Sequence, residues 1–303
     1  MIPAVNLVTD AAIASFLAVV PVFVILTVRS ARSGRNVGFR PLLAFFGVVL
    51  WLVAVYGSFI EPYRLEIRTY PVTVGSGDAV LRVAVVSDVH LGLHKGTGWA
   101  EKVVGRVNSV RPDLVLLAGD LVSVPSGMES FGPFGELESR YGTYVVLGNW
   151  DYRVGAVDVR HCIESRNAEV LTNETVMVGE PGREIALIGL DDWIYGDPDW
   201  GAALVGVPDG AVTVAVGHEP DIVSAAEVNG IDLVISGHTH GGQVRLPLIG
   251  AVPHLPIGLP QDFDRGLFDY GQTKLFISPG VGESGTRIRF LQPPEISVLE
   301  IRY

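Results

Sequence analysis

Two long apolar stretches open the chain, and beyond them short apolar runs alternate with polar, glycine-rich joints. Residues 11–28 contain only Ser15 and Thr27 as polar positions, with Pro21 inside, and residues 41–60 carry no charge. Each run meets the length of about 20 residues needed to cross a bilayer core. No basic segment precedes the first run and a second run follows it, which fits a cleavable signal poorly. The pattern predicts a membrane hairpin over residues 1–60, with helices at about 11–28 and 41–60, and a separate domain over residues 61–303. Buried core helices are the alternative reading.

In the domain, apolar runs at 81–86, 113–117, 144–147, 184–189, 212–216 and 231–235 are short and end at glycine or polar residues, as buried strands do. Residues 97–110 place Trp99, Val103, Val104 and Val107 on one helical face. A second helical stretch around 128–140 is interrupted by Gly132, Pro133 and Gly135. Residues 61–77 have the alternating character of an edge strand. The end of the chain predicts short strands at 244–246, 274–277, 288–290 and 296–301. Strands alternating with helices and a β-rich finish define an α/β class.

Charge refines the picture. The chain has 22 Lys and Arg against 33 Asp and Glu, yet Arg29, Arg32, Arg35 and Arg40 precede residue 41 with only Asp10 opposing them. The arginine-rich linker between the apolar runs is expected in the cytoplasm, which puts residues 61–303 outside it. Arg64 and Arg68, just past the second run, count in the other direction. The remaining chain is strongly acidic, which argues against a nucleic-acid polymer as partner. An anionic substrate then requires a local cation, such as a metal ion. The single cysteine, Cys162, excludes an internal disulfide and a cysteine-based zinc site. Oligomeric state is not encoded in any of these patterns.

Five of the apolar runs end in residues able to ligate metal: Asp88 and His90, Asp120, Asn149, His218, then His238 and His240. Carboxylate, imidazole and amide oxygen suit manganese, iron or zinc. Seven such side chains exceed the needs of one ion and suffice for two at roughly 3.5–4 Å, the arrangement used in phosphatases and nucleases.

The ordered set Asp88-x-His90, Gly119-Asp120, Gly148-Asn149-x-Asp151, Gly217-His218 and Gly237-His238-x-His240 resembles the calcineurin-like metallophosphoesterases over residues 81–302. The ending Gly-His-Thr-His-Gly-Gly-Gln behind an apolar amino-terminal segment is most similar to the bacterial membrane- or wall-associated branch. The resemblance implies two facing mixed sheets flanked by helices, a four-layer α/β/β/α sandwich. It implies Asp88, His90 and His240 on a first divalent ion, Asn149, His218 and His238 on a second, and Asp120 between them. It further implies hydrolysis of a phosphodiester, phosphomonoester or pyrophosphate by a metal-bridging hydroxide.

One departure stands out. Where the family commonly has histidine after Gly-Asn, this chain has Trp150, which carries no titrating proton. His94, on the loop after the first ligands, is the expected substitute, and Asp151 is expected to orient a site histidine or the Asn149 loop. Arg287 or Arg289 is a weaker candidate for gripping phosphate, and His161 and His254 are expected to be structural. With the apolar hairpin, these features predict a membrane-anchored phosphoesterase acting on a phosphorylated small-molecule, lipid or cell-envelope substrate. The alternatives are a UDP-diacylglucosamine-type pyrophosphate hydrolase facing the cytoplasm, and a non-catalytic metal-binding membrane protein.

Overall fold

The computed structural model describes residues 2–303, with side chains from Val8 onward. The chain opens with α1 (Ile2–Arg32) and α2 (Arg40–Phe59). Trp51 donates its indole N–H to the Leu17 carbonyl at 2.9 Å, and Val20 packs against Gly47, so the two helices form an antiparallel pair. Val22, Leu26, Phe46 and Leu50 on these helices are all exposed. That removes the core-helix alternative, because a core helix would bury them. The stretches Val8–Arg32 and Arg40–Tyr63 are each long and apolar enough to cross a membrane.

Among the described residues, fourteen strands follow. The first sheet is built from β1 (Glu66–Thr73), β2 (Val80–Val86), β3 (Leu114–Ala118), β4 (Thr143–Val146), β5 (Glu169–Val170) and the last strand, β14 (Glu295–Arg302). The second uses β6 (Glu174–Glu180), β7 (Arg183–Gly189), β8 (Val212–Val216), β9 (Leu233–Ser236), β12 (Gly266–Tyr270) and β13 (Thr273–Ile277). Between β9 and β12 a small hairpin joins β10 (Arg245–Leu246) to β11 (Gly250–Ala251). Helices α3 (Thr97–Ser109) and α4 (Asn149–Glu164) serve the first sheet, and α5 (Trp200–Ala203) and α6 (Val223–Val228) the second.

The strand orders are β1-β14-β2-β3-β4-β5 and β12-β13-β9-β8-β7-β6. Strand alternation sorts the side chains into layers. Val83 and Val85 of β2 enter the core between the sheets with Leu116, Val214, Leu233 and Phe276. Ala84 and Val86 face outward and pack against Val103 and Val107 of α3. On the far side of the second sheet, Ala215 and Val234 pack with Val223 and Ala226 of α6. The result is the α/β/β/α sandwich with two mixed sheets that the resemblance implies.

Three local expectations are corrected. The stretch after residue 124 forms a 3-10 segment, Pro125–Glu136, since Gly132, Pro133 and Gly135 deny it α-helical continuity. Residues 288–290 are no strand; only an isolated bridge joins Phe290 to Val244. Arg289 is fully buried and gives its guanidinium to the carbonyls of Pro279, Gly280, Gly282 and Gln292, so it has no reach to a substrate phosphate. Arg287 lies over the Phe59 ring and donates to the Tyr63 hydroxyl, at the junction with α2.

Candidate metal centre

Parallel strands β2, β3 and β4 point their carboxyl ends the same way, and so do β8 and β9 opposite them. Asp88, Asp120, Asn149, His218, His238 and His240 all follow these ends within a few residues. Two facing sheets thereby deliver side chains more than 100 residues apart to one cleft, the position where open α/β sheets place their sites.

The atoms able to ligate metal form two groups, Asp88 with His90 and His240, and Asp120 with His218 and His238. His90 Nε2 lies 3.1 Å from His240 Nε2, which is itself 3.3 Å from Asp88 Oδ1. Asp120 Oδ2 sits 3.1 Å from His218 Nε2 and 3.5 Å from His90 Nε2, so it touches both groups. All six side chains are buried. The Asn149 side-chain oxygen, buried at the same cleft, has no hydrogen-bond partner among the described residues.

Hydrogen bonds set the imidazole orientations. The Ala118 carbonyl accepts from His218 Nδ1 at 2.8 Å, so a proton resides there and Nε2 is turned toward Asp120. The Pro256 carbonyl accepts from His238 Nε2 at 3.2 Å, and the Ser123 hydroxyl holds His90 Nδ1 at 2.9 Å. Such outer partners are what metal-ligating histidines require.

The backbone is bent to the same end. Asp88, His90, Asp120, His238 and His240 all have φ between 51° and 70°, a region few non-glycine residues occupy and one that persists where surrounding structure enforces it. Glycine is needed at two close approaches. A Cβ on Gly148 would lie 2.5 Å from Asp120 Oδ1, and one on Gly237 would lie 2.6 Å from Asp88 Oδ2.

Electrostatically the site calls for cations. Burial, with Asp120 alongside, pushes Asp88 up to about 6 against the pull of His218. Burial lowers His90 and His238 to about 4 each, and lifts the nearby Glu219 to about 8. Burial would also lower His218, but Asp120, Glu219 and Asp88 outweigh it and hold it well above its usual value. Crowded carboxylates facing imidazole nitrogens, beside an unpaired amide oxygen, fit a pair of divalent ions.

The cleft has a volume of about 370 Å³. Trp150 stands at its edge, ring against His90 at 5.4 Å, with its backbone N–H on Asp120 Oδ1 at 2.7 Å. The Asp151 carboxylate accepts from the backbone N–H groups of Gly148, Leu121 and Val122 at 2.9–3.0 Å, tying the Asn149 and Asp120 loops together. His94 is turned elsewhere: its Nε2 lies 3.7 Å from Asp10 of α1, and it does not line the cleft. Two residues that the sequence reading does not place at the site line the cleft. Arg153 lies over the Trp150 and Tyr195 rings and donates to the Tyr195 hydroxyl at 2.9 Å. His254, expected to be structural, lines the cleft beside Pro253 and Pro256. Arg153, three residues past Trp150 near the start of a helix, was visible in principle; His254 lacks a local signal.

The calcineurin-like phosphoesterase family matches residues 81–242, slightly more than half of the chain. A metallophosphoesterase of Campylobacter jejuni is 30% identical over 264 residues, covering 84% of this chain and 68% of its own length. The phosphodiesterase YaeI of Escherichia coli is 26% identical over 255 residues, covering 81% of this chain and 92% of its own. The bovine transmembrane protein with metallophosphoesterase domain is 29% identical over 296 residues; the alignment takes in 90% of this chain but 64% of the bovine protein. Fold and site define a metal-dependent phosphoric ester hydrolase, which sets aside the non-catalytic alternative. The chain belongs to the calcineurin-like phosphoesterase family. Its two apolar helices and its transmembrane relatives associate it with the membrane.

Proposed function

We propose that the protein is anchored by α1 and α2 as a membrane-spanning hairpin, and that residues 61–303 form a two-metal phosphoesterase acting on a lipid or cell-envelope phosphate ester outside the cytoplasm. The observation that carries the substrate class is the place of the cleft. Gln243 and Ser284, both lining it, exchange hydrogen bonds, and the next carbonyl, that of Gly285, accepts from Thr9 of α1. The cleft rim is thus built against the helices.

Asp88, His90 and His240 would hold one ion, Asn149, His218 and His238 the other, with Asp120 shared. Two bound divalent ions would supply an activated water and neutralise charge on the phosphoryl oxygens; manganese, iron and zinc all suit the donor set. Ala118, Ser123 and Pro256 hold the imidazoles, and Asp151 holds the loops that carry Asp120 and Asn149. Trp150 supplies no proton, so Arg153 would take the phosphate charge at the cleft mouth and His254 would be the histidine available to the leaving group. Arg153→Ala is expected to reduce kcat/KM about tenfold, since exposure limits the gain from one charged contact; an unchanged value removes it from the site.

The test is hydrolysis of bis(p-nitrophenyl) phosphate and p-nitrophenyl phosphate by the full chain in detergent, with and without added manganese, then of phosphatidic acid in mixed micelles. Metal-dependent turnover is expected, with the lipid preferred. Soluble esters turned over while every phospholipid tried is refused would sink the lipid reading. A membrane-impermeant thiol reagent reaching Val205→Cys from outside intact cells tests the orientation; protection there would favour the cytoplasmic, UDP-diacylglucosamine-type alternative.

A further inference from the structure

The β10–β11 hairpin is built against the preferences of its own backbone. Arg245 pairs with Ala251 and Leu246 with Gly250, leaving a three-residue tip of Pro247, Leu248 and Ile249. Leu248 has φ 69°, a turn position that favours glycine, asparagine or aspartate, and its side chain is wholly exposed. Ile249 beside it is 70% exposed, and Val252 and Leu246 are bare as well. Nothing in the fold asks for apolar residues there. Soluble surfaces scatter exposed apolar side chains singly; a cluster of this kind marks a contact with another apolar phase.

The hairpin continues the edge of the helical pair. Val244 bridges Phe290, and Phe290 donates back to Gln243. The Phe290 ring meets Tyr56 of α2 edge-on at 6.3 Å, and the Arg289 N–H bonds the Gly57 carbonyl. Leu291, with φ 55°, and Phe59 at the end of α2 are exposed on the same junction. Arg64 and Arg287 sit beside it, where basic side chains meet lipid phosphate. On its other side the hairpin borders the catalytic cleft, since Gln243 and Pro253 line it.

We propose that the β10–β11 tip is a membrane-dipping finger, inserting Leu248 and Ile249 into the apolar edge of the bilayer in which α1 and α2 are set. Its occupant is lipid. The finger rests on the reading of α1 and α2 as spans, and it holds the cleft mouth against the membrane surface.

The test uses the full chain in phosphatidylcholine–phosphatidylglycerol nanodiscs. Cys162→Ala supplies a background for single cysteines carrying an environment-sensitive nitrobenzoxadiazole label. Leu248→Cys and Ile249→Cys report the finger, Leu50→Cys the span, and Val205→Cys a distant exposed site. Retained bis(p-nitrophenyl) phosphate turnover selects labelled proteins that are folded. The expected result is a blue-shifted label at 248 and 249, quenched at least about twofold by lipid carrying a doxyl group at carbon 5, with no quenching at 205. Quenching at 50 but not at 248 or 249 overturns the finger and leaves the span reading intact. An aqueous label at 50 overturns the span reading and the finger with it.

Discussion

Asp120→Asn is expected to lower kcat/KM for bis(p-nitrophenyl) phosphate by at least about 10³, or roughly 4 kcal/mol of transition-state stabilisation. The substitution keeps the shape that receives the Trp150 N–H and removes the charge. Asp120 is the carboxylate in closer contact across the two groups, 3.1 Å from His218 and 3.5 Å from His90, whereas Asp88 is 3.9 Å from His218. An amide there cannot be shared between two cations and leaves the surrounding imidazoles without a counter-charge. Elemental analysis is expected to show fewer than two ions per chain in the variant, against two in the parent protein. Full turnover with both ions retained would remove Asp120 from its central place. Substitution of Asp151, which touches only backbone N–H groups, is a positioning change and serves as the comparison.

The second large effect lies away from the cleft. Lys95 is buried, yet its ammonium donates to the Pro62 carbonyl at 2.7 Å and lies 3.3 Å from Glu283. It sits 3.7 Å over the Tyr63 ring and 3.8 Å over Trp99. Burial lowers its pKa to about 8, opposed by Glu283, so it is a cation at neutral pH. Pro62 and Tyr63 are the first turn after α2, and the Glu283 loop lies under Asp88, since Gly282 donates to the Asp88 carbonyl. This one side chain therefore fastens the exit of the helical pair to the floor of the site.

Lys95→Met is expected to cost about 3–5 kcal/mol, because it strands a buried carboxylate rather than because the pair itself is strongly stabilising. In thermal unfolding of the full chain that corresponds to a fall of roughly 10 °C. Lys95→Met combined with Glu283→Gln is expected to recover most of the loss. A double variant as unstable as the single one would show that aromatic and backbone contacts of Lys95, not the stranded charge, carry the effect.

The strands that hold the ligands were legible in the chain because parallel strands buried on both faces are written as continuous apolar runs. β2, β3, β4, β8 and β9 each lie within a residue or two of the run that announces them. Resemblance alone suggested how the candidate residues group, because strand ends by themselves do not say which sheets face each other. The failures have physical causes. Arg289 stands in an alternating Arg-Ile-Arg-Phe stretch that has a strand's pattern, but its guanidinium satisfies the interior loop carbonyls of Pro279, Gly280, Gly282 and Gln292, a partnership that no residue pattern marks. His94 follows the ligand motif in sequence, yet Asp10 of α1 draws it away from the cleft. Helix α4 was not anticipated because it starts at Asn149 itself and is broken by Gly155 at φ 133°, which hides its period.

The placement of β14 has a consequence for how the protein is made. Glu295–Arg302 runs between β1 and β2, parallel to one and antiparallel to the other. The sheet bearing Asp88 and Asp120 therefore cannot close until β14 has been synthesised, long after α1 and α2. Contacts spanning more than 200 residues form late. The cleft between the two sheets is therefore among the last parts of the protein to take shape.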